Sequence, residues 1–337
     1  MKTKIILSCL LYLGCVSTGF TQSACTSGKL DSNAKKVLPF MPDLSLQQER
    51  DMPVAVRRNQ SPPDLNPVPE SKMQRIRITA DSIPVIVFRP DHPVGKMPVI
   101  VDFHGGAFVY PLQPWMYHWS YELANTYGAI VFAVDYRVAP EHRFPVAVND
   151  SYNAFKWVLE NAGKMGGDTA RIILSGASSG ANLAAAVSLL APKEALQKKI
   201  KMICLLCPAV ANPVNSLYPS MTENATGYGL TKNAVLWATE NYSSNFGVDS
   251  SDFRMFPILA KDFSGLPPAI IYTAEFDVLR DEGIAYAAKL KAAGVPVIAR
   301  CFPGHLHTLM GIRNDAPEMK QIDKDMRQFI ETYLPAH

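Results

Sequence analysis

The sequence predicts an α/β architecture, a mostly parallel, eight-stranded sheet with helices on both faces. Three observations carry that expectation. From Gln74 onward, short apolar runs alternate with stretches of helical period. Several runs, such as "MPVIVDF" (97–103) and "GAIVFAVDY" (128–136), are almost continuously apolar, as strands covered on both faces are. A third run, "ARIILS" (170–175), passes through a Gly/Ser turn directly into a helical stretch, the alternation expected of a crossover-connected sheet.

The chain begins with "MKTKIILSCLLYLGCVSTGFTQSAC", a basic start, an apolar run from Ile5 to Val16 and a small polar exit. That is the build of a secretory signal peptide over residues 1–23, and the apolar run is well short of the roughly 20 residues a spanning helix needs. It predicts a secreted or periplasmic protein with no spanning segment after signal removal. Lipid attachment at Cys15 is the minority alternative. Residues 24–70 carry seven prolines between Pro39 and Pro69, which excludes long helices from most of the segment and suggests a cap arm. Within it, "SLQQ" at Ser45 has capping-box spacing for one short helix.

Strands are then expected at "RIRITA", "IPVIVFRP", "MPVIVDF", "GAIVFAVDY", "ARIILS", "KMICLLC", "PAIIYTA" and "VPVIARCF". Helices are expected near Tyr117–Tyr127, Ala147–Glu160, Ser179–Leu190, Arg280–Ala293 and Pro317–Tyr333. An insertion over residues 209–264, with a helix at Lys232–Tyr242, is long enough to be a lid or binding segment. The whole of 24–337 reads as one domain.

Composition narrows the function classes. Of 337 residues, 48% are hydrophobic and 19% charged, which suits a packed globular protein. The formal charge is +3, with Lys2 and Lys4 in the N-terminal segment and no dense basic run after them, so nucleic acid is not an expected partner. Without Cys9 and Cys15, four cysteines remain, and disulfides are open to them in an exported chain. Cys204 and Cys207 lie three apart in one apolar strand, where their side chains point to opposite faces. A bridge between them is not expected, nor a zinc site, since no second CxxC or histidine pair accompanies them, and small apolar packing is the favoured reading.

The chemistry concentrates in "LSGASSGANLA" (174–184). A side chain at the apex of a tight strand-to-helix turn projects above the sheet, but the residues two before and two after crowd together. Of Ser175, Ser178 and Ser179, only Ser178 has glycine at both places, Gly176 and Gly180. This is the G-x-S-x-G nucleophile elbow. A serine hydroxyl needs a base, and the base an orienting acid. In this layout they follow in the order acid, then histidine. "PAIIYTAEFDVLRDEG" offers Glu275, Asp277, Asp281 and Glu282, and the last two fall in the first turn of a helix, where acids favour the dipole. "VIARCFPGHLHTLMG" offers His305 and His307. Residues alone leave Glu275 against Asp277 and His305 against His307 open. "PVIVDFHGGAFVY" supplies a loop whose glycines let backbone amides face an oxyanion, with the Ser179 amide as a further donor.

These segments together resemble the hormone-sensitive-lipase-like branch of the α/β-hydrolases, from about Ile83 to the C-terminus. "FHGGAF" is similar to its HGGGF motif, "VDYRVAPEHRFPVAVND" to DYRLAPEHPFPAALDD, and "SGASSGANLA" to the GDSAGGNLA elbow. "LPPAIIYTAEFDVLRDEG" is similar to LPPALIITAEYDPLRDEG, and "FPGHLHTLMG" to YPGMIHGF. The resemblance implies an α/β-hydrolase fold with a helical cap and a catalytic set of Ser178, Asp277 and His307. It implies oxyanion donors at Gly105, Gly106 and Ser179, leaves Glu275 and His305 supporting or incidental roles, and gives His104 a part in shaping the loop. It implies a small-molecule ester, with short acyl chains as the default, no metal and no organic cofactor. An amidase, peptidase or carbohydrate-ester deacetylase uses the same triad, and a non-catalytic receptor is the reading from another class. Trp115, Met116 and Tyr117 read equally as pocket wall and as core. Ala107, Ala177, Ser179, Ala181, Thr308 and Leu309 depart from the family pattern, which bears on pocket shape. The oligomeric state stays open, with a homodimer among the options.

Overall fold

A computed structural model describes residues 25–60, 64, 66–191, 197–214 and 216–335. The expected leader at 1–23 and Cys15 therefore lie outside the described residues. In chain order the elements are α1 (Ser32–Val37), α2 (Leu46–Asp51), α3 (Val54–Arg58), β1 (Met73–Ile78), β2 (Ile83–Phe88), β3 (Met97–Phe103), α4 (Tyr117–Tyr127), β4 (Ile130–Val134), α5 (Val146–Asn161), β5 (Gly167–Ala177) and α6 (Ser179–Leu190). They continue as β6 (Ile200–Leu206), α7 (Ser220–Glu223), α8 (Lys232–Tyr242), α9 (Phe246–Asp249), β7 (Ala269–Phe276), α10 (Arg280–Ala292), β8 (Val297–Leu306) and α11 (Pro317–Tyr333).

The eight strands form one sheet in the order β1-β2-β4-β3-β5-β6-β7-β8. The β1/β2 and β2/β4 pairs are antiparallel and the rest are parallel. The apolar runs form strands because both faces are covered. Val99, Val101 and Phe103 face one buried cluster that includes Phe155 of α5 and Leu183 of α6. Ile100, Ile173, Met202 and Ile270 face the other, with Leu123 of α4 and Phe329 of α11. The central strands run parallel, so β3, β5, β6, β7 and β8 deliver their carboxyl ends to one edge, where open α/β sheets bind their ligands.

Three strands run beyond their sequence-expected ends, β5 by two residues to Ala177. β7 continues to Phe276 and β8 to Leu306, with Phe276 paired to Leu306 after a register shift. The apolar run ends at Phe302, yet Gly304, at φ 78°, lets the chain bulge and resume pairing. The acid and the histidine thus follow directly on strand ends, and His305 lies inside β8.

Within the arm, Ser45 caps α2 with the full capping box, its hydroxyl accepting from the Gln48 amide and Gln48 reaching back to the Ser45 amide. α2 and α3 lie against α8 of the insertion. Arg50 pairs with Glu240, the Arg57 guanidinium lies 4.1 Å from the Trp237 ring centre, and Asn233 donates to the Leu44 carbonyl. Among the described residues no helix is long and apolar enough to cross a membrane.

Candidate active site

Ser178 sits at the junction of β5 and α6 with φ 56° and ψ −120°, a backbone that L residues rarely adopt. The turn is as tight as the glycines require. A Cβ on Gly176 would lie 2.4 Å from the Gly180 carbonyl carbon, and one on Gly180 would lie 1.9 Å from the Phe103 carbonyl oxygen. The Ser178 amide donates to the Leu206 carbonyl at 2.8 Å, which pins the turn to β6. Ser175 is a buried strand residue, paired with Asp102 of β3 and Cys204 of β6. Ser179 opens α6, fully buried, with its hydroxyl 3.5 Å from the Tyr136 hydroxyl.

His307 bridges the serine and one acid. Its Nε2 lies 2.9 Å from Ser178 Oγ and its Nδ1 lies 2.7 Å from Asp277 Oδ2. A neutral ring carrying its proton on Nδ1 donates to the carboxylate and presents Nε2 as acceptor to the hydroxyl. Asp277 is 1% exposed and also accepts from the Leu279 amide at 2.9 Å. Asn224 of the insertion, just past α7, donates to the backbone carbonyls of Glu275 and Asp277, tying the acid loop to that segment.

The other acid and histidine candidates are held elsewhere. Glu275 accepts from Ser27 Oγ at 2.6 Å, the Gly28 amide at 2.8 Å and the Gly304 amide at 2.7 Å, and these hydrogen bonds outweigh burial to hold its carboxyl below the usual range. It stitches the start of the described chain to the strand that leads into His307. Asp281 pairs with Arg280 and accepts from the Ser220 amide. Glu282 is more than a first-turn acid. Its Oε1 accepts from the amides of Val210 and Ala211, its Oε2 has no hydrogen-bond partner among the described residues, and burial pushes its carboxyl up to about 8. His305 Nε2 lies 3.6 Å from Glu318.

In the glycine loop, the amides of Gly105 and Gly106 donate to no acceptor among the described residues. The Ser179 amide is a first-turn donor that α6 itself cannot satisfy. Gly105 packs against the elbow, where a Cβ would come within 3.2 Å of the Ala177 carbonyl. Gly106 has φ 116° and no room for a Cβ beside Tyr110. His104 supports the loop from behind. Its ring stacks on Tyr136 at 4.2 Å, its Nδ1 lies 2.6 Å from the Gly105 carbonyl, and burial pushes its imidazole down to about 4, so it is neutral and donates there. The Tyr136 hydroxyl in turn donates to the His104 carbonyl at 2.8 Å.

The arm reaches this region at several points that sequence reading did not find. Arg58 of α3 donates to the Val109 and Ala139 carbonyls and pairs with Glu141. Cys25 is disulfide-bonded to Cys301 of β8. The Asp31 amide donates to the Gly304 carbonyl. A Cβ on Gly229 would touch Met41 Sδ at 3.0 Å and Met310 Cε at 3.6 Å, so arm, insertion and histidine loop meet there. Cys204 and Cys207 are free thiols, and Cys207 packs as expected in a buried apolar cluster with Ile173, Met202 and Tyr272, although its sulfur makes a polar contact as well. Its Sγ accepts from the Thr308 amide at 3.3 Å. Cys207, Asp277 and His307 have ligand-type atoms within 4.8 Å of one another, although both imidazole nitrogens are engaged by Asp277 and Ser178. Tyr117 packs against Phe88 and under Arg75, and Met116 against the same buried cluster, which leaves both half-buried on the outside of the core.

Residues 100–311 match a family model described as an alpha/beta hydrolase fold. A carboxylesterase, NlhH, of Mycobacterium tuberculosis is 37% identical over 261 residues, covering 75% of this chain and 79% of that protein. An arylesterase of Saccharolobus solfataricus is 35% identical over 247 residues, 73% of this chain and 79% of the relative. Among solved structures, an esterase of Pyrobaculum calidifontis superposes with a TM-score of 0.78 at 32% identity, covering 91% of this chain and 100% of that one.

Proposed function

The chain belongs to the hormone-sensitive-lipase-like family of α/β-hydrolase carboxylesterases, and we propose that it cleaves short-acyl carboxylic esters through a Ser178–His307–Asp277 triad. One observation carries the reading. His307 spans Ser178 Oγ and Asp277 Oδ2 at 2.9 and 2.7 Å, in the order base catalysis requires.

Ser178 Oγ attacks the ester carbonyl while His307 Nε2 takes its proton, and Asp277 holds the Nδ1–H and stabilises the imidazolium. The tetrahedral oxyanion lies against the amides of Gly105, Gly106 and Ser179. His307 returns the proton to the departing alkoxide, leaving an acyl group on Ser178. Water then attacks that acyl group with His307 again as base, and the carboxylic acid leaves as Ser178 recovers its proton.

We read the arm (24–70) and the insertion (209–264) as a cap. The meeting of Met41, Gly229 and Met310 beside the histidine loop supports an apolar roof of limited size. We further infer a secreted or periplasmic location from the build of residues 1–23, a reading the Cys25–Cys301 bridge supports.

The decisive experiment labels the protein with a fluorophosphonate and maps the adduct by mass spectrometry, beside hydrolysis of p-nitrophenyl acetate, p-nitrophenyl octanoate, acetylated sugars and anilides. The reading requires the adduct on Ser178, faster acetate than octanoate turnover, and no activity in Ser178→Ala. An adduct on Ser179, or full esterase activity in Ser178→Ala, overturns the mechanism, and faster anilide or acetyl-sugar turnover replaces the substrate class.

A further inference from the structure

Cys207 stands immediately after β6, where the two halves of the site meet. Its φ of 47° is in the left-handed region, unusual for a residue with a side chain. Its amide donates to the Tyr272 carbonyl of β7 at 2.7 Å, and the residue before it, Leu206, accepts from the Ser178 amide. The backbone here is thus tied to the strand that carries the nucleophile and to the strand that carries the acid.

The side chain then reaches the histidine loop. Cys207 Sγ accepts from the Thr308 amide at 3.3 Å, and Thr308 follows His307 directly. The sulfur, an Asp277 carboxylate oxygen and a His307 ring nitrogen lie within 4.8 Å of one another. The residue is 0% exposed. Burial pushes its thiol well up, with the neighbouring Asp277 charge acting in the same direction, so the sulfur carries its proton beside the Asp277 carboxylate.

We propose that Cys207 is a positioning residue for the Asp277–His307 pair: its sulfur accepts the Thr308 amide and fixes the histidine backbone, while its S–H donates to the Asp277 carboxylate. The proposal rests on the triad reading. A thiol donor withdraws part of the carboxylate charge, so Cys207 also tempers how strongly Asp277 stabilises the imidazolium. Asp277 is then held by three donors, the His307 Nδ1–H, the Leu279 amide and the thiol. The Thr308 backbone, at φ 52°, is held in its left-handed conformation by a bond that a residue without a hydrogen-bonding side chain at 207 could not make.

The test compares Cys207→Ala, Cys207→Ser and Ser178→Ala with the wild-type chain on p-nitrophenyl acetate across the pH range. Glu282, a further ionisable neighbour of Asp277, is uncharged over the acid limb, since its carboxyl lies at about 8. The acid limb therefore reads the imidazole. In Cys207→Ala, kcat is expected to fall about tenfold, the equivalent of one lost hydrogen bond, with KM within about twofold. The acid limb of kcat/KM moves to higher pH, because a carboxylate stripped of a donor stabilises the imidazolium more. Cys207→Ser keeps a donor and an acceptor and is expected to recover most of kcat, with the acid limb at slightly lower pH than in the wild type because a hydroxyl donates more strongly than a thiol. Should Cys207→Ala fail to fold, the downfield proton resonance of His307 Nδ1–H, compared between wild type and Cys207→Ser, carries the test, because a change of donor strength on Asp277 must shift it. An unchanged acid limb in Cys207→Ala, equal losses in Ala and Ser variants, or an unmoved Nδ1–H resonance in Cys207→Ser overturns the proposal. An active Ser178→Ala would instead overturn the triad beneath it.

Discussion

A methyl group at Gly180 would sit 1.9 Å from the carbonyl oxygen of Phe103, the last residue of the strand that leads into the glycine loop. No flexible side-chain tip is involved, so relief requires moving the helix or the strand. Gly180→Ala is therefore expected to destabilise the fold by about 4 kcal/mol or more, the range reserved for strained backbone and core clashes. At Gly105 the nearest contact is 3.2 Å and φ lies outside the left-handed range, so Gly105→Ala should fold with a small change in Tm but lose kcat as the amide shifts. Parallel thermal melts and kcat measurements separate the two, and equal melts would contradict the clash.

Asp277→Asn keeps the shape beside His307 but presents an amide to Nδ1, which favours the wrong imidazole tautomer. A loss of kcat on the order of 10⁴ is expected with folding intact. Glu275→Gln should retain far more activity, because Glu275 holds backbone amides and Ser27 rather than the imidazole. Steady-state kinetics on one short-chain ester decide it, and a larger loss at Glu275 than at Asp277 would reassign the acid.

Two buried groups act on stability in opposite pH senses. Glu282 keeps its proton in the folded state up to about 8, whereas the unfolded chain releases it near 4.5, so raising the pH between those values favours unfolding. His104, pushed down to about 4 from 6.5, favours unfolding as the pH falls through that window. Between about 4.5 and 6.5 the two oppose each other, and the Glu282 contribution stands clear between about 6.5 and 8. There, stability is expected to fall with pH by up to about 1.4 kcal/mol per unit, the limit for one proton. Glu282→Gln, whose amide oxygen still accepts from Val210 and Ala211, should flatten that decline in urea titrations. A decline that persists unchanged would place the proton elsewhere.

Reducing the Cys25–Cys301 bridge, or replacing Cys25 with Ser, opens a link between residues 276 apart in sequence. A loss of about 2–5 kcal/mol is expected, read as a lower Tm in reductant. Activity should fall with it at assay temperatures near the new melt, because the same segment carries the Ser27, Gly28 and Asp31 contacts to Glu275 and Gly304. If Cys25→Ser melts with the wild type under both conditions, the bridge contributes nothing to stability.

What could be read from sequence was what depends on local period and spacing. Continuous apolar runs gave eight strands in their places, the capping box at Ser45 located α2, and the glycine spacing singled out Ser178. What escaped depends on residues distant in the chain. Nothing near Glu282 signals that it is buried beneath Val210 and Ala211, and nothing near Cys25 names Cys301 as its partner. The apolar pattern rightly put Cys207 in the core but gave no sign of the Thr308 amide that its sulfur accepts from, because Thr308 is distant in the chain. The expected strand "VPVIARCF" stopped at Phe302 because the apolar run ends there, whereas β8 resumes pairing at Leu306 after a bulge at Pro303 and Gly304.

The order of synthesis adds one consequence of the way Glu275 gathers Ser27, Gly28 and Gly304. The earliest described residues take their places only against strands made near the end of the chain, and those strands bring Asp277 and His307 to Ser178. A nascent chain ending before β8 has its serine and Glu275 but neither His307 nor the Gly304 and Cys301 partners of its earliest described residues. The strand that completes the docking of the arm is thus the one that leads into His307, so on the proposed mechanism a copy cut short before it lacks its base.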